Sequence, residues 1–188
     1  LQPGELLVAS PTALGEAGTV AAGKGTIVNS ANNSIAGNAS LLIQGGITIA
    51  GEGLRLDSIN NNTNNGTGYY GTGALRNLSG DNTWTGDVTL NTTDNTTNYA
   101  RVTVNTTAGT LNMAGAIGQS GATAHGVGLI KIGRGTLEFS GAAPNTYGTT
   151  VTSATEGYTF VREGTLKFSK TAGVNALGSA YLYVGNDA

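Results

Sequence analysis

One stretch decides the fold of this chain, GTLEFSG at residues 135–141, because its pattern returns elsewhere in the sequence. The phrase GTLKF at 164–168 repeats it after the polar corner NTYG at 145–148, and GTLNM at 109–113 precedes it. In each phrase a glycine is followed by a short run in which apolar and polar residues alternate, which is typical of a half-buried strand. Strands that recur with turns between them, and without a helical period, predict a solenoid.

The spacing of the phrases predicts the size of one solenoid turn. The glycines that open them, Gly109, Gly135 and Gly164, recur within the range of about 20–50 residues that is typical of solenoids and propellers. A single turn has no core of its own, so its inward apolar residues must pack against the turns above and below. With ~20–25 residues per turn, the chain of 188 residues predicts one all-β solenoid segment, residues 1–188, with roughly eight turns.

Composition excludes several classes of protein. Charged residues make up 11% of the chain, below the ~25% of typical soluble domains, and asparagine and threonine supply the polarity instead. Disordered chains are rich in charge and proline, which this chain is not. The net charge of −2 gives no basic surface for nucleic acid. There is no cysteine for a disulfide or thiolate site, and no apolar run has the ~20 residues that span a membrane.

Three polar stretches interrupt the alternation. The first, residues 57–68, contains Asn65-Gly66 and is interpreted as a loop or an outward hairpin inserted in the solenoid. The second, residues 91–98, predicts a loop or a wide corner. The third, residues 118–128, holds His125, the only histidine. Because a lone histidine cannot complete a metal site, we expect no metal and no cofactor.

The repeat resembles a known family. GLIKIGRGTLEFSG at 128–141, with NTY at 145–147 and GTL at 164–166, is similar to the autotransporter-associated β-strand repeat. The resemblance is specific over about residues 73–185. It implies a right-handed parallel β-helix from a large bacterial protein that is secreted or displayed on the cell surface. Members of this family serve as passenger stalks, adhesins and extracellular structural proteins, so the resemblance implies the same roles here.

An enzyme that acts on polysaccharide is a third interpretation, since β-helices also carry lyases and hydrolases. Such enzymes need converging carboxylates, or a calcium site with a basic residue, on one face of the rod. Only Asp81 and Asp87 lie close together and flank an aromatic residue, Trp84. We interpret Asp81 as a turn cap and Trp84 as a residue packed at a corner. No residue is therefore assigned a catalytic role, and the chain is not expected to be an enzyme.

The sequence favours an extracellular structural or adhesive scaffold, part of a surface-displayed stalk or a head-to-tail filament. The alternative is a glycan-binding surface module, whose candidate contacts are Trp84, Tyr69 and Tyr70. Aromatic residues spaced along one exposed face would favour glycan binding, whereas aromatic residues buried in corners would favour the scaffold.

A set of apolar residues at equivalent positions of the repeat is expected to stack in register inside the rod. These residues are Leu111, Leu137, Phe139, Leu166 and Phe168. Strand-like runs at 6–8 and 181–184 lie near the two ends of the sequence, and neither carries a capping element. An uncapped solenoid end promotes pairing with further strands. We therefore expect the rod to continue end to end, either as a fragment of a longer solenoid or as a self-associating subunit.

Overall fold

The computed structural model of the protein describes residues 4–29, 39–58, 72–92, 100–121, 126–149 and 157–185. These residues form sixteen β-strands and one 3₁₀ turn, Val20–Ala22. The strands in chain order are β1 (Glu5–Val8), β2 (Thr26–Asn29), β3 (Ser40–Gln44), β4 (Thr48–Ile49), β5 (Leu54–Ser58), β6 (Leu75–Ser79), β7 (Asn82–Trp84), β8 (Val88–Thr92), β9 (Arg101–Thr106), β10 (Thr110–Met113), β11 (Ile117–Gly121), β12 (Gly128–Ile132), β13 (Thr136–Gly141), β14 (Thr159–Val161), β15 (Thr165–Lys170) and β16 (Leu182–Val184).

The strands form three parallel sheets that coil around a common interior. The seven-stranded sheet has the order β1-β3-β6-β9-β12-β14-β16, the five-stranded sheet the order β15-β13-β10-β7-β4, and the four-stranded sheet the order β11-β8-β5-β2. In each sheet a strand pairs with the equivalent strands of the preceding and following turns, as in β10 with β7 and β13. The predicted parallel β-helix is confirmed.

The seven-stranded sheet gives seven turns within the described residues, against the roughly eight that were predicted. Its register explains the difference. Glu5 pairs with Ser40, Leu41 with Leu75 and Leu129 with Thr159, whereas the last pair, Thr159 with Leu182, is closer in sequence. Most turns therefore take more residues than the ~20–25 assumed for a typical repeat, so fewer turns fit the same chain.

The core is a set of columns that run along the rod. Alternation puts every second residue of a strand inside, and in-register pairing stacks these residues on their equivalents one turn away. Leu137 pairs with Leu111 on one side and Leu166 on the other. Fully buried members of these columns include Leu56, Leu75, Leu90, Val102, Val104, Leu111, Ile117, Leu129, Leu137 and Phe139.

Glycines form a column of their own at the corner that precedes the five-stranded sheet. Gly109 has a φ of 67°, and a Cβ placed on it would lie 2.4 Å from the carbonyl oxygen of Gly80. A Cβ on Gly164, with a φ of 73°, would lie 2.2 Å from the carbonyl oxygen of Gly133. At these two positions both the left-handed backbone and the close approach of neighbouring turns require glycine. At Gly135 the close approach alone requires it, because a Cβ there would lie 2.6 Å from the carbonyl oxygen of Gly109.

Polar side chains tie the corners of successive turns together. Asp81 Oδ1 accepts a hydrogen bond of 2.9 Å from the backbone N–H of Thr110, 29 residues later. Asp87 Oδ1 accepts an equivalent bond of 2.9 Å from the N–H of Ala116. These N–H groups lie at strand starts, where the ladder does not satisfy them, so the carboxylates take that role.

Several polar stretches of the sequence are parts of strands. Asp57 and Ser58 belong to β5, and residues 59–68 of the predicted loop lie outside the described residues. The predicted loop at 91–98 overlaps the end of β8, which extends to Thr92. Residues 118–121 of the third stretch belong to β11, and His125 lies outside the described residues. No helix in the part of the chain that is described has the length and apolar character to cross a membrane.

Candidate interaction site at one end of the solenoid

The last turns of the solenoid leave an apolar groove between two sheet edges. β15 is the outer strand of the five-stranded sheet, and β16 is the outer strand of the seven-stranded sheet. Between them lies a groove of about 250 Å³, which we call the end groove. Its apolar lining comes from Val161, Leu166, Phe168, Leu182 and Val184. All of these belong to columns that are interior in the earlier turns, so the groove is an opened section of the core.

Phe168 departs from its predicted interior position. Phe139, its register partner one turn earlier, is fully buried, whereas 42% of Phe168 is exposed. The two rings are in contact, with centroids 5.9 Å apart, so the predicted stacking is present. The exposure arises because no described strand lies beyond β15. Leu166 is half-buried for the same reason, while Leu111 and Leu137 are fully buried.

The backbone of β15 pairs with β13 on one side, and no described strand pairs with its other side. The N–H groups of Thr165 and Thr171 donate to the carbonyl oxygens of Gly135 and Gly141, at 3.2 and 3.0 Å. Backbone groups alternate in direction along a strand, so the N–H groups of Leu166 and Phe168 face away from β13. An outer strand with such a row of groups is a template for another strand.

Charged residues lie on the outer side of the same strands. Lys167 Nζ lies 3.0 Å from Glu138 Oε1 on the neighbouring strand β13. Hydrogen bonds from Lys167, and then from Ser169, lower the pKa of Glu138 below its ordinary value. Lys170 shares the strand face of Leu166 and Phe168, and its Nζ donates a 2.9 Å bond to the carbonyl oxygen of Gly115. Burial lowers the pKa of Lys170. The outer face of β15 therefore carries Lys167, whose acidic partner lies on β13.

An aromatic cluster lies beside the end groove, on the seven-stranded sheet. Its members are Tyr158, Phe160, Tyr181 and Tyr183. The rings of Phe160 and Tyr183 are nearly parallel, at 20°, with centroids 6.0 Å apart, and Tyr181 stacks at 6.4 Å from Tyr183. Tyr181 and Tyr183 are each 41% exposed, so the cluster presents aromatic surface to solvent.

Two arginines complete the aromatic cluster. The guanidinium carbon of Arg101 lies 4.5 Å from the ring centroid of Tyr158, and that of Arg162 lies 5.3 Å from the centroid of Phe160. These are cation–π distances. Sequence reasoning missed the cluster. The sequence does contain a signal for it, because aromatic residues occur two positions apart in two places, Tyr158 with Phe160 and Tyr181 with Tyr183. The pairing of β14 with β16 brings these two pairs of rings together.

The structure does not bring the predicted glycan contacts to an exposed face. Trp84 is fully buried, and its indole Nε1 donates a 2.6 Å hydrogen bond to the carbonyl oxygen of Glu52. Its ring is therefore inaccessible to a sugar, because β7 places it inside the rod between Ile49 and Met113. Tyr69 and Tyr70 lie outside the described residues.

A lysine is buried in the core near this end of the rod. Lys131 is fully buried, and its Nζ donates to the carbonyl oxygens of Ile132, Gly133 and Glu163 at 2.8, 2.5 and 3.0 Å. Burial lowers the pKa of Lys131 to about 8, and the charge of Glu163 opposes this shift. Since every Nζ donor has an acceptor, the side chain closes the corner between β12 and β13 from inside.

The acidic residues Asp81 and Asp87, which flank Trp84 in the sequence, bind the backbone of the next turn. A groove of about 410 Å³ runs past Asp87, which is the one carboxylate in its lining, whereas hydrolysis uses two. The Oδ1 atoms of Asp81 and Asp87 are both engaged by backbone N–H groups of the next turn. Among the described residues, no three histidine, cysteine, aspartate or glutamate side chains are grouped closely enough to hold a metal ion.

No family model matches the chain, and no curated protein or solved structure matches it. Function is therefore inferred from the geometry of the end groove and the aromatic cluster.

Proposed function

We propose that this chain is an extracellular structural or adhesive scaffold, a section of rod that extends by adding turns at its ends. It belongs to a surface-displayed stalk or to a head-to-tail filament. No catalytic step is assigned to it. We base the proposed extracellular localisation and bacterial origin on the resemblance of residues 73–185 to the autotransporter-associated repeat.

One observation carries the proposal: the exposed large apolar residues cluster at the two ends of the rod. Within the described ranges these are Leu6, Leu7, Ile27, Phe168, Tyr181, Leu182, Tyr183 and Val184. All of them lie on or next to β1, β2, β15 and β16, which are outer strands of their sheets. Four of these residues, Leu6, Phe168, Leu182 and Val184, continue interior columns, so this part of the apolar surface lies where another turn would stack.

The edges of the seven-stranded sheet support the proposed elongation. β1 is its first strand and β16 its last, and both are parallel to the strands between them. A strand added at either edge gains a ladder of hydrogen bonds and covers exposed apolar columns. In a solenoid each turn contacts only its neighbours, so additional turns stabilise the end without changing the interior.

The filament form is tested by light scattering on a size-exclusion column, with negative-stain microscopy of the same samples. We expect the mass to rise with concentration and rods of one width to lengthen. Phe168→Lys and Leu182→Lys are expected to suppress lengthening, because each places a charge in the end groove. The control is Thr89→Lys, in the middle of the four-stranded sheet, which is expected to leave the lengthening of the rods unchanged.

The stalk form is tested with a tandem chain in which one copy directly follows another. If turns stack across the junction, the tandem chain melts at a higher temperature than the single copy, because fewer open ends remain per turn. A single copy that stays monomeric, together with a tandem chain of unchanged melting temperature, would overturn the scaffold proposal.

The aromatic cluster favours a second function, the binding of glycans. Exposed tyrosine rings offer apolar surface with a polar edge, and the neighbouring guanidinium groups supply hydrogen-bond donors. A glycan array probed with the labelled protein tests this function. Binding that is lost in the double variant Tyr181→Ala, Tyr183→Ala and retained in Leu7→Ala would support it. Equal signals from the three proteins would exclude it.

A further inference from the structure

We propose that the side of the rod beside the aromatic cluster binds an acidic glycan, a sugar chain whose pyranose units carry carboxylate or sulfate groups. The site consists of the aromatic cluster and a polar groove that adjoins it. This inference rests on the second of the proposed functions, glycan binding, and adds the class of glycan that this surface recognises.

The polar groove lies at the corner where the seven-stranded sheet is followed by the five-stranded sheet. It has a volume of about 440 Å³, a size typical of small-molecule sites, and we call it the side groove. Three successive turns form it, with Asn105 and Thr107 in the first, residues 132–134 in the second and Glu163 in the third. Within the seven-stranded sheet β12 lies between β9 and β14, and β14 lies between β12 and β16. The side groove is therefore a feature of the rod's side and does not depend on how the rod ends.

The side groove and the aromatic cluster share the outer face of the seven-stranded sheet. Ile130 pairs with Phe160 of the cluster, and Ile132, two residues further along the same face of β12, lines the groove. Arg162 joins the two regions, because its guanidinium carbon lies 5.3 Å from the ring centroid of Phe160 and the next residue, Glu163, lines the groove. Apolar rings beside a polar groove suit a sugar, since a pyranose has an apolar C–H face and a rim of hydroxyl groups.

The charge of this surface favours an anion, although the whole chain has a net charge of −2. Arg101 and Arg162 lie against the rings of the cluster, and Arg134 lines the side groove. The Arg134 side chain is 91% exposed, and its Nε lies 3.5 Å from Glu163 Oε1. Because that contact uses Nε, the two Nη groups remain as donors for carboxylate or sulfate oxygens, which a guanidinium binds in bidentate fashion.

Glu163 opposes the binding of an anion and so provides a sharp test. Its Oε2 accepts a hydrogen bond of 3.1 Å from the backbone N–H of Gly133, which holds the carboxylate in the side groove. Glutamine at this position keeps an oxygen acceptor for that N–H and removes the negative charge. Glu163→Gln is therefore expected to bind an acidic sugar about threefold more tightly, because a like charge is lost. Weaker binding by this variant would overturn the inference.

The test measures the binding of labelled tetragalacturonate, which carries carboxylates, to the full chain by fluorescence anisotropy. The fully methyl-esterified form is the neutral control, and a sulfated galactan tetrasaccharide distinguishes sulfate from carboxylate. We expect at least one acidic sugar to bind about tenfold more tightly than the ester, with an affinity that falls as salt is added. Equal binding of the ester and the acidic sugars would overturn this inference and leave glycan binding standing. Binding of none of the three would also overturn it, and the glycan array then decides separately on the second function.

Protein variants locate the site on the rod. Arg134→Gln is expected to weaken the binding of the acidic sugar about fivefold, and the double variant Arg134→Gln, Arg162→Gln to abolish it. The matched control is Lys167→Gln, which removes one positive charge from the outer face of the five-stranded sheet and is expected to retain the wild-type affinity. Circular dichroism confirms that the variants fold. Equal losses in Arg134→Gln and Lys167→Gln would overturn the inference, because net charge and not this surface would then govern binding.

A polyanion without sugar rings completes the experiment. Labelled polyaspartate of similar charge is expected to bind at least several-fold more weakly than the acidic sugar, because it has no pyranose face to lie against the rings of the aromatic cluster. Polyaspartate that binds as tightly as the acidic sugar would overturn the inference, since charge alone would then explain the attraction.

Discussion

Lys131 and Val104 are register partners on neighbouring strands of the seven-stranded sheet, and both side chains are fully buried. A lysine thus occupies a position in an interior column that is apolar one turn earlier. The next residue of the column, Val161, is apolar again. The aliphatic stem of Lys131 continues the column, while its Nζ reaches three backbone carbonyl groups at the corner.

The first prediction concerns the pH dependence that Lys131 confers. Its pKa is about 8 in the folded chain and 10.5 when unfolded, so the unfolded chain binds more protons between these values. The free energy of unfolding is therefore expected to rise with pH from about 8 to 10.5. In Lys131→Met this contribution is absent. The check is to measure the melting temperatures of the wild type and of Lys131→Met at pH 7.5, 9 and 10.5. The prediction would be contradicted if the melting temperatures of the two proteins changed in parallel with pH.

A second prediction, of opposite sign, concerns Tyr147. Burial raises its pKa from 10.0 to about 12, although its hydroxyl is 2.7 Å from Thr159 Oγ1. Between these values the unfolded chain loses a proton that the folded chain keeps, so the stabilising contribution is complete below pH 10 and is lost by pH 12. At neutral pH we expect the free energy of unfolding to be about 1 kcal/mol larger for the wild type than for Tyr147→Phe. This difference in stability is expected to decrease above pH 10. Chemical denaturation of both proteins from pH 7 to 12 checks this, and a stability difference that does not change with pH would contradict the prediction.

The third prediction compares two leucines at the same position of the repeat. Leu137→Ala leaves a cavity between two covering turns and is expected to cost about 2–5 kcal/mol. Leu166→Ala removes the same atoms from a half-buried position at the end groove and is expected to cost less than half as much. Thermal unfolding of the two variants gives the comparison. Equal losses would mean that the end turn is covered in solution.

The fourth prediction concerns the glycines at the corners. A Cβ on Gly86 would lie 1.9 Å from the carbonyl oxygen of Glu52, which is backbone and cannot rotate away. Gly86→Ala is therefore expected to destabilise the chain by about 1–3 kcal/mol or more. Gly4→Ala is the control, because a Cβ there has no atom within 4 Å. A melting temperature of Gly86→Ala equal to that of the control would refute the close approach of the turns.

The fifth prediction is that removal of divalent metal leaves the fold intact. Asp81 and Asp87 each bind a backbone N–H of the next turn, a role that needs no ion. We expect equal melting temperatures in EDTA and in calcium. A large loss in EDTA would reveal a calcium site, for which Asp81 and Asp87 are the first candidates.

The fold was predictable because local and global signals agree. The phrases at 109–113, 135–141 and 164–168 give both the alternation and the glycine corners, and they form β10, β13 and β15. β11 was not predicted, since IGQSG has the composition of a loop. It is a strand because it pairs with β8, where Ser120 Oγ donates to Asn91 Oδ1 at 2.9 Å. Pairing across turns overrides local propensity at such positions.

The candidate site was less predictable, because it depends on stacking order. Phe139 and Phe168 have the same local pattern, yet one is buried and the other is 42% exposed. The difference in exposure arises because β13 is covered by β15, whereas no described strand covers β15. A local sequence pattern does not indicate whether a strand is covered in this way. The aromatic cluster has the same origin: Phe160 and Tyr183 meet only because β14 and β16 pair in one register. Trp84 was considered as a surface contact, but its position on β7 directs it inward.

The direction of the hydrogen-bond ladders has a mechanical consequence. The bonds between parallel strands run along the rod, so a force that pulls on its two ends acts along them and loads successive turns in series. Among the described residues, three register pairs of β14 with β16 hold the turn of Tyr183 to the turn before it. That earlier turn is held by three pairs of β12 with β14 and six of β13 with β15. Under tension the contact between β14 and β16 is therefore expected to yield before the contact behind it.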